Sequence, residues 1–226
     1  MLESDLSTRL PTSDELPDSD DTPVDNENQN FLPNLLLFLL KQIWQDREDW
    51  FFAADMGIYY TPGGPYIPII PDGFLSLGVE RHKNQKLRKS YVLWEENYIV
   101  PILAIEVVSW SPGGEYTDKM AIYAKLGILY YVIYNPDYWK RDRHSPFEVY
   151  RLVDGTYQLQ TGDPFWMSEI GLGIGRDVYQ DGEMRMEALY WYDEKGDRYL
   201  TAEEKASQLA KQLERYRQLF GDLPDV

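Results

Sequence analysis

The chain has 226 residues, with 38 acidic against 22 basic side chains, a net charge of −16 and no cysteine. The absence of cysteine excludes disulfides, thiolate zinc sites, iron–sulfur clusters and thiol nucleophiles. Its two histidines, His82 and His144, are far apart in sequence, so carboxylates must hold any bound metal.

Along the chain, residues 1–30 hold nine acids and one base, Arg9, which is half of the total charge imbalance. Few apolar residues accompany them, and such a stretch reads as a disordered acidic arm. It lacks the basic start and apolar core of a signal peptide. The longest apolar run, residues 35–40, is too short to cross a bilayer, so a soluble cytoplasmic protein is expected. The spacing of Phe31, Leu32, Leu35, Leu36, Phe38, Leu39, Leu40, Ile43 and Trp44 predicts a helix over 31–44, buried on most sides. Residues 50–60 read as one strand carrying Asp55 in its interior, and 61–65 as a turn. Pro71-Asp72 leads into a short strand over 73–77, followed by a polar, locally basic loop over 78–90.

Residues 99–109 form the clearest strand, nearly all apolar and therefore expected to be buried on both faces. A helix over 117–126 follows, with Thr117 as its N-cap and Gly127 as its stop. Residues 130–134 read as a second buried strand. Asp154-Gly155 between 147–153 and 156–161 is a two-residue hairpin signal. The run Gly171-Leu172-Gly173-Ile174-Gly175 reads as a loop between strands. At the end, Ala202, Ala206, Leu209, Leu213, Tyr216 and Phe220 step by four and three along a helix over 201–220. That stripe suits either docking on its own domain or contact with a second chain. Interleaved strands and helices predict an α/β fold with a mixed sheet and one βαβ step. The division expected is an arm over 1–30, a domain over 31–200 and a helical tail over 201–226.

In the strand over 99–109, side chains alternate between faces, so Glu106 shares one face with Ala104 and Val108. A buried carboxylate needs a cation, a metal or a proton. Asp72, on the neighbouring segment, and Lys119, in the first turn of the next helix, complete a set suited to Mg²⁺ and a phosphodiester. Hard divalent cations take oxygen ligands, keep several waters and help to ionise one of them. Read singly, Pro-Asp-Gly is also a common turn and Lys119 a common surface lysine. Ser109 has no nucleophile elbow around it. Asp55 ranks behind Asp72 and Glu106 as a ligand, and the Lys/Arg run at 81–89 reads first as solvated charge.

Pro71-Asp72, the segment from Ile105 to Ser109, Asp118-Lys119, Tyr123, Gly127 and Tyr131 resemble the Uma-two family of bacterial restriction-endonuclease-like proteins. So does the tail Trp191-Tyr192-Asp193 with Thr201-Ala202-Glu203-Glu204. The resemblance covers roughly residues 31–205 and implies the PD-(D/E)xK nuclease superfamily. It thereby implies a restriction-endonuclease-like mixed β-sheet core of four strands flanked by helices. It further implies Mg²⁺, with Mn²⁺ as a substitute, and DNA as substrate. By this resemblance Asp72 matches the first motif acid, Glu106 the second, and the main-chain oxygen of Val107 a third metal ligand. The motif lysine position holds Val108, and Lys119 on the following helix stands in for it. The glutamate often found on the first helix is missing from 31–44; Glu48 or Asp49 would serve only if that helix ran longer. The alternative is a non-catalytic interaction module on the same scaffold, dimerising through its last helix.

Overall fold

The computed structural model describes residues 9–12, 15, 27–63, 66–83, 86–111 and 113–221. Most of the expected acidic arm lies outside these residues. Within its described part, Arg9 pairs with Glu15 at 2.6 Å and the Pro11 carbonyl accepts from Trp94 Nε1 at 2.8 Å.

Helix α1 spans Glu27–Ile43, starting four residues before the expected boundary. Leu32, Leu35, Leu36, Leu39 and Leu40 are buried as the helical spacing selects, together with Pro33, whereas Phe31 and Ile43 are half-buried and Phe38 is exposed. The strand expected over 50–60 is two strands, β1 (Trp50–Ala54) and β2 (Ile58–Tyr59). The break falls at Asp55, whose φ of 48° lies in the left-handed region that ends a strand. Next come β3 (Gly73–Leu77) and β4 (Tyr91–Val92), then β5 (Leu103–Val107), shorter at both ends than the apolar run around it. Helix α2 (Asp118–Leu126) ends on Gly127 at φ 83°, and Thr117 occupies the N-cap position without a side-chain cap bond. Strand β6 (Tyr130–Tyr134), the short helix α3 (Trp139–Asp142) and the hairpin β7 (Phe147–Val153) and β8 (Thr156–Leu159) follow. Asp154 and Gly155 both have positive φ, as the tight hairpin turn requires.

Strands β9 (Phe165–Met167), β10 (Leu172–Asp181) and β11 (Met184–Tyr192) precede helix α4 (Ala202–Phe220). The glycine run at 171–175 is therefore not a loop, because Gly173 and Gly175 lie inside β10. A Cβ at Gly175 would sit 2.7 Å from both Asp163 Oδ1 and Pro164 Cα, so the glycine permits a close backbone approach.

The main sheet has six strands, in the order β1-β3-β5-β6-β7-β8, two more than the four-stranded core expected. Only β5 and β6 run parallel, joined through α2; the other neighbours are antiparallel. Strands β11-β10-β9 form a second sheet and β2-β4 a parallel pair. Alternation along the strands separates two cores. Leu103, Ile105 and Val107 of β5 join the α1 leucines, Trp50, Val132 and the second sheet. Ala104 and Val108 face the other way, with Phe74, Tyr123, Tyr131 and Ile133. Trp191 Nε1, buried in the first core, donates to the Leu36 carbonyl at 2.9 Å and ties the second sheet to α1. Among the described residues no helix is long and apolar enough to cross a membrane.

Candidate active site

Strands β3 and β5 pair antiparallel with Gly73 opposite Ile105. Asp72 precedes the first paired residue of β3, beside the end of β5 that carries Glu106, close enough for the charge of one acid to act on the other. Gly73 matters through what it lacks. A Cβ there would lie 3.2 Å from the Phe52 ring and 3.3 Å from Pro33 Cβ, so glycine lets α1 rest directly on the start of β3.

The Asp72 carboxylate is held by the neighbouring strand: the Val107 amide donates to its Oδ2 at 2.5 Å. Gln29 Nε2, from the first turns of α1, lies 3.5 Å from Oδ1. The Asp55 amide donates to the Asp72 carbonyl at 3.1 Å, so Asp55 supports this segment through its main chain.

Glu106 is 1% exposed. Lys119 Nζ donates to its Oε2 at 2.8 Å and the Tyr123 hydroxyl to its Oε1 at 2.6 Å, short bonds of the charge-assisted kind. Lys119 also donates to the Ile70 carbonyl at 3.2 Å, tying α2 back to the segment that carries Asp72. Burial pushes the Glu106 carboxyl up to about 8; Lys119 pulls against that shift and the Asp72 charge adds to it. Burial works against the Lys119 ammonium, but Glu106 and Asp72 hold its pKa above the ordinary lysine value.

The three side chains singled out in the sequence, Asp72, Glu106 and Lys119, thus lie together, with Val107 beside them at the end of β5. Two neighbours were missed. Tyr123 stands among the residues that carry the family resemblance, but nothing in the sequence pairs it with Glu106. Gln29 falls outside a helix begun at Phe31, yet it occupies the first-helix position near the first acid; Glu27 lies in the first turn of the same helix. Asp49 is beyond α1 and pairs with Arg47. The basic loop at 81–89 is partly consumed: Arg88 is 4% exposed, bound to Glu96 at 2.9 Å and stacked on Phe51, while Lys83 also reaches Glu96. His144 stacks on Tyr116 and meets Glu148 at 3.1 Å, away from the two acids in chain and partners.

The Uma2 (Uma-two) family, described as "Putative restriction endonuclease", matches residues 21–178. The chain belongs to this family. The Uma2 match takes in α1, β3, β5 and α2, hence every residue of the candidate site, and stops before β11 and α4. No curated protein and no solved structure matches the chain. The mixed sheet flanked by helices, with its C-terminal helix, is the restriction-endonuclease-like architecture.

The donor chemistry is of the kind a hard divalent ion takes. Asp72 and Glu106 offer oxygen only, although among the described residues no group of three or more His, Cys, Asp and Glu is placed to hold a metal ion. Two carboxylates suit Mg²⁺, which is usually bound through one or two acids together with waters and substrate phosphate oxygens.

Proposed function

We propose that this Uma2-family chain is a Mg²⁺-dependent endonuclease that hydrolyses DNA phosphodiesters. Asp72, Glu106 and the main-chain oxygen of Val107 would hold the ion, with Mn²⁺ able to replace it. When bound, it would supply positive charge to the scissile phosphate and lower the pKa of a water. Lys119 would orient the attacking water and hold positive charge beside the developing oxyanion. Tyr123 would fix the Glu106 carboxylate in one orientation, and Gln29 would do the same for Asp72. A DNA substrate implies access to the cytoplasm, and phosphate contacts make binding fall steeply with salt.

The observation that carries this reading is the meeting of Asp72 and Glu106 at the β3–β5 edge with an ammonium on Glu106. One feature favours the alternative of a non-catalytic module: Lys119 and Tyr123 satisfy both Glu106 oxygens without a metal. Calorimetric titration with Mg²⁺ and Mn²⁺, paired with cleavage of supercoiled plasmid, separates the two. The nuclease reading expects binding and nicking in the wild-type protein, with both lost in Glu106→Ala. Equal binding in both proteins, or none in either, overturns it and leaves the scaffold reading.

A further inference from the structure

Helix α4 leaves the domain and runs through solvent. Every residue from 205 to 219 is exposed, including Leu209 at 65%, Leu213 at 39%, Tyr216 at 47% and Leu219 at 67%. Its start is firmly built. Thr201 and Glu204 form a reciprocal capping box, Arg198 grips Glu204 at 2.6 Å, and Lys205 reaches Gln42 of α1 at 3.1 Å. A rigid root thus holds out a long apolar stripe, which is costly in water unless something covers it.

The stripe distinguishes between occupants by size and charge. Ala206 and Leu213 occupy one heptad position, and Leu209 and Tyr216 the other. In a parallel pair each residue would meet its own copy, so Ala206 would face alanine across a gap and Tyr216 would face tyrosine. Two opposite-charge contacts would also be missing, since Lys205 would face Ala210 and Gln212 would face Arg217. In an antiparallel pair about residue 211, Ala206 meets Tyr216 and Leu209 meets Leu213, small against large and equal against equal. The same register sets Glu203 against Arg217, and does so twice by symmetry. It also carries the far end of each helix, with Leu219, to the root of the other, beside Lys205.

A receptor lies at that root. An open groove of about 1180 Å³ runs between α1 and the start of α4. It is lined by Leu35, Phe38, Leu39, Tyr179, Ala202 and Glu203, and Phe38 is 57% exposed. We propose that α4 pairs antiparallel with α4 of a second copy, each helix end seated in the other copy's α1–α4 groove. The contact is isologous, so it closes at a dimer and cannot propagate.

The absence of cysteine makes the register directly testable on the full chain. Ala206→Cys and Tyr216→Cys variants are mixed under oxidising conditions, with circular dichroism as a folding control. The antiparallel pair predicts a disulfide between the two different variants and none within Ala206→Cys alone; a dimer linked through residue 206 on both chains overturns it. Sedimentation equilibrium of the wild-type protein is expected to give twice 26.5 kDa. Glu203→Arg or Arg217→Glu is expected to weaken association ~tenfold, and the double variant to restore it. A single-chain mass at the highest concentration reached, or a double variant no better than either single one, also overturns the proposal. Phe38→Asp probes the groove, with weaker association expected.

Discussion

Replacing Glu106 with glutamine should stabilise the metal-free protein at alkaline pH and, on the proposed reading, abolish metal binding. The carboxyl is 1% exposed and its pKa stands at about 8 in the folded chain, against 4.5 ordinarily. Between those values the folded state holds a proton that the unfolded state has released, so stability falls as pH rises through the window. Each unit of pH costs about 1.4 kcal/mol, which amounts to about 4 kcal/mol by pH 8. No cost applies below pH 4.5, where both states are protonated. Glutamine keeps the size and one oxygen for Lys119 or Tyr123 but cannot ionise. Urea unfolding in EDTA at pH 5 and pH 8 is the assay. The wild-type protein should lose several kcal/mol between the two, Glu106→Gln much less, with the curves crossing in favour of the variant at pH 8. A variant less stable than wild type at pH 8, or two equal slopes, would refute the reasoning, because the Lys119 bridge would then have fully offset burial.

Three further outcomes follow from particular contacts. Tyr123→Phe removes the donor to Glu106 Oε1 and should cost about 1–3 kcal/mol, more at pH 8 than at pH 5, read by the same unfolding curves. Gly175→Ala forces a methyl group against Asp163 and Pro164 and should cost about 1–3 kcal/mol, seen as a lower denaturation midpoint with an unchanged slope. Thr201→Ala removes the α4 cap and should cost about 1 kcal/mol, visible as lost helical signal at 222 nm with the domain's near-ultraviolet spectrum intact.

Much of the candidate site was legible because it rests on short-range rules. Period-two alternation put Glu106 on the α2 side of β5, and the two separate cores follow that division residue by residue. The αL glycine at 127 and the Asp154-Gly155 turn were readable because each needs a backbone conformation that few residues adopt. Contacts made across the fold were less visible. Gln29 sits in a polar first turn without apolar period, and only the close seat of α1 on Gly73 brings it to Asp72. Gly73 read only as the start of a strand after a Pro-Asp-Gly turn, although its use is also to admit a helix. The same blindness affected Gly173 and Gly175, since close approach between strands leaves no periodic mark. Asp55 interrupted an otherwise continuous apolar run through its backbone angle, which its neighbours in sequence do not disclose. Tyr123 carries part of the family resemblance, but its bond to Glu106 depends on the packing of α2 over β5.

The most direct test of the central claim is anomalous scattering from crystals soaked in Mn²⁺. A metal peak within coordination distance of both the Asp72 and Glu106 carboxylates, absent in Glu106→Ala crystals, is the predicted result. Density showing Lys119 still bridging Glu106, with manganese elsewhere or nowhere, would contradict it.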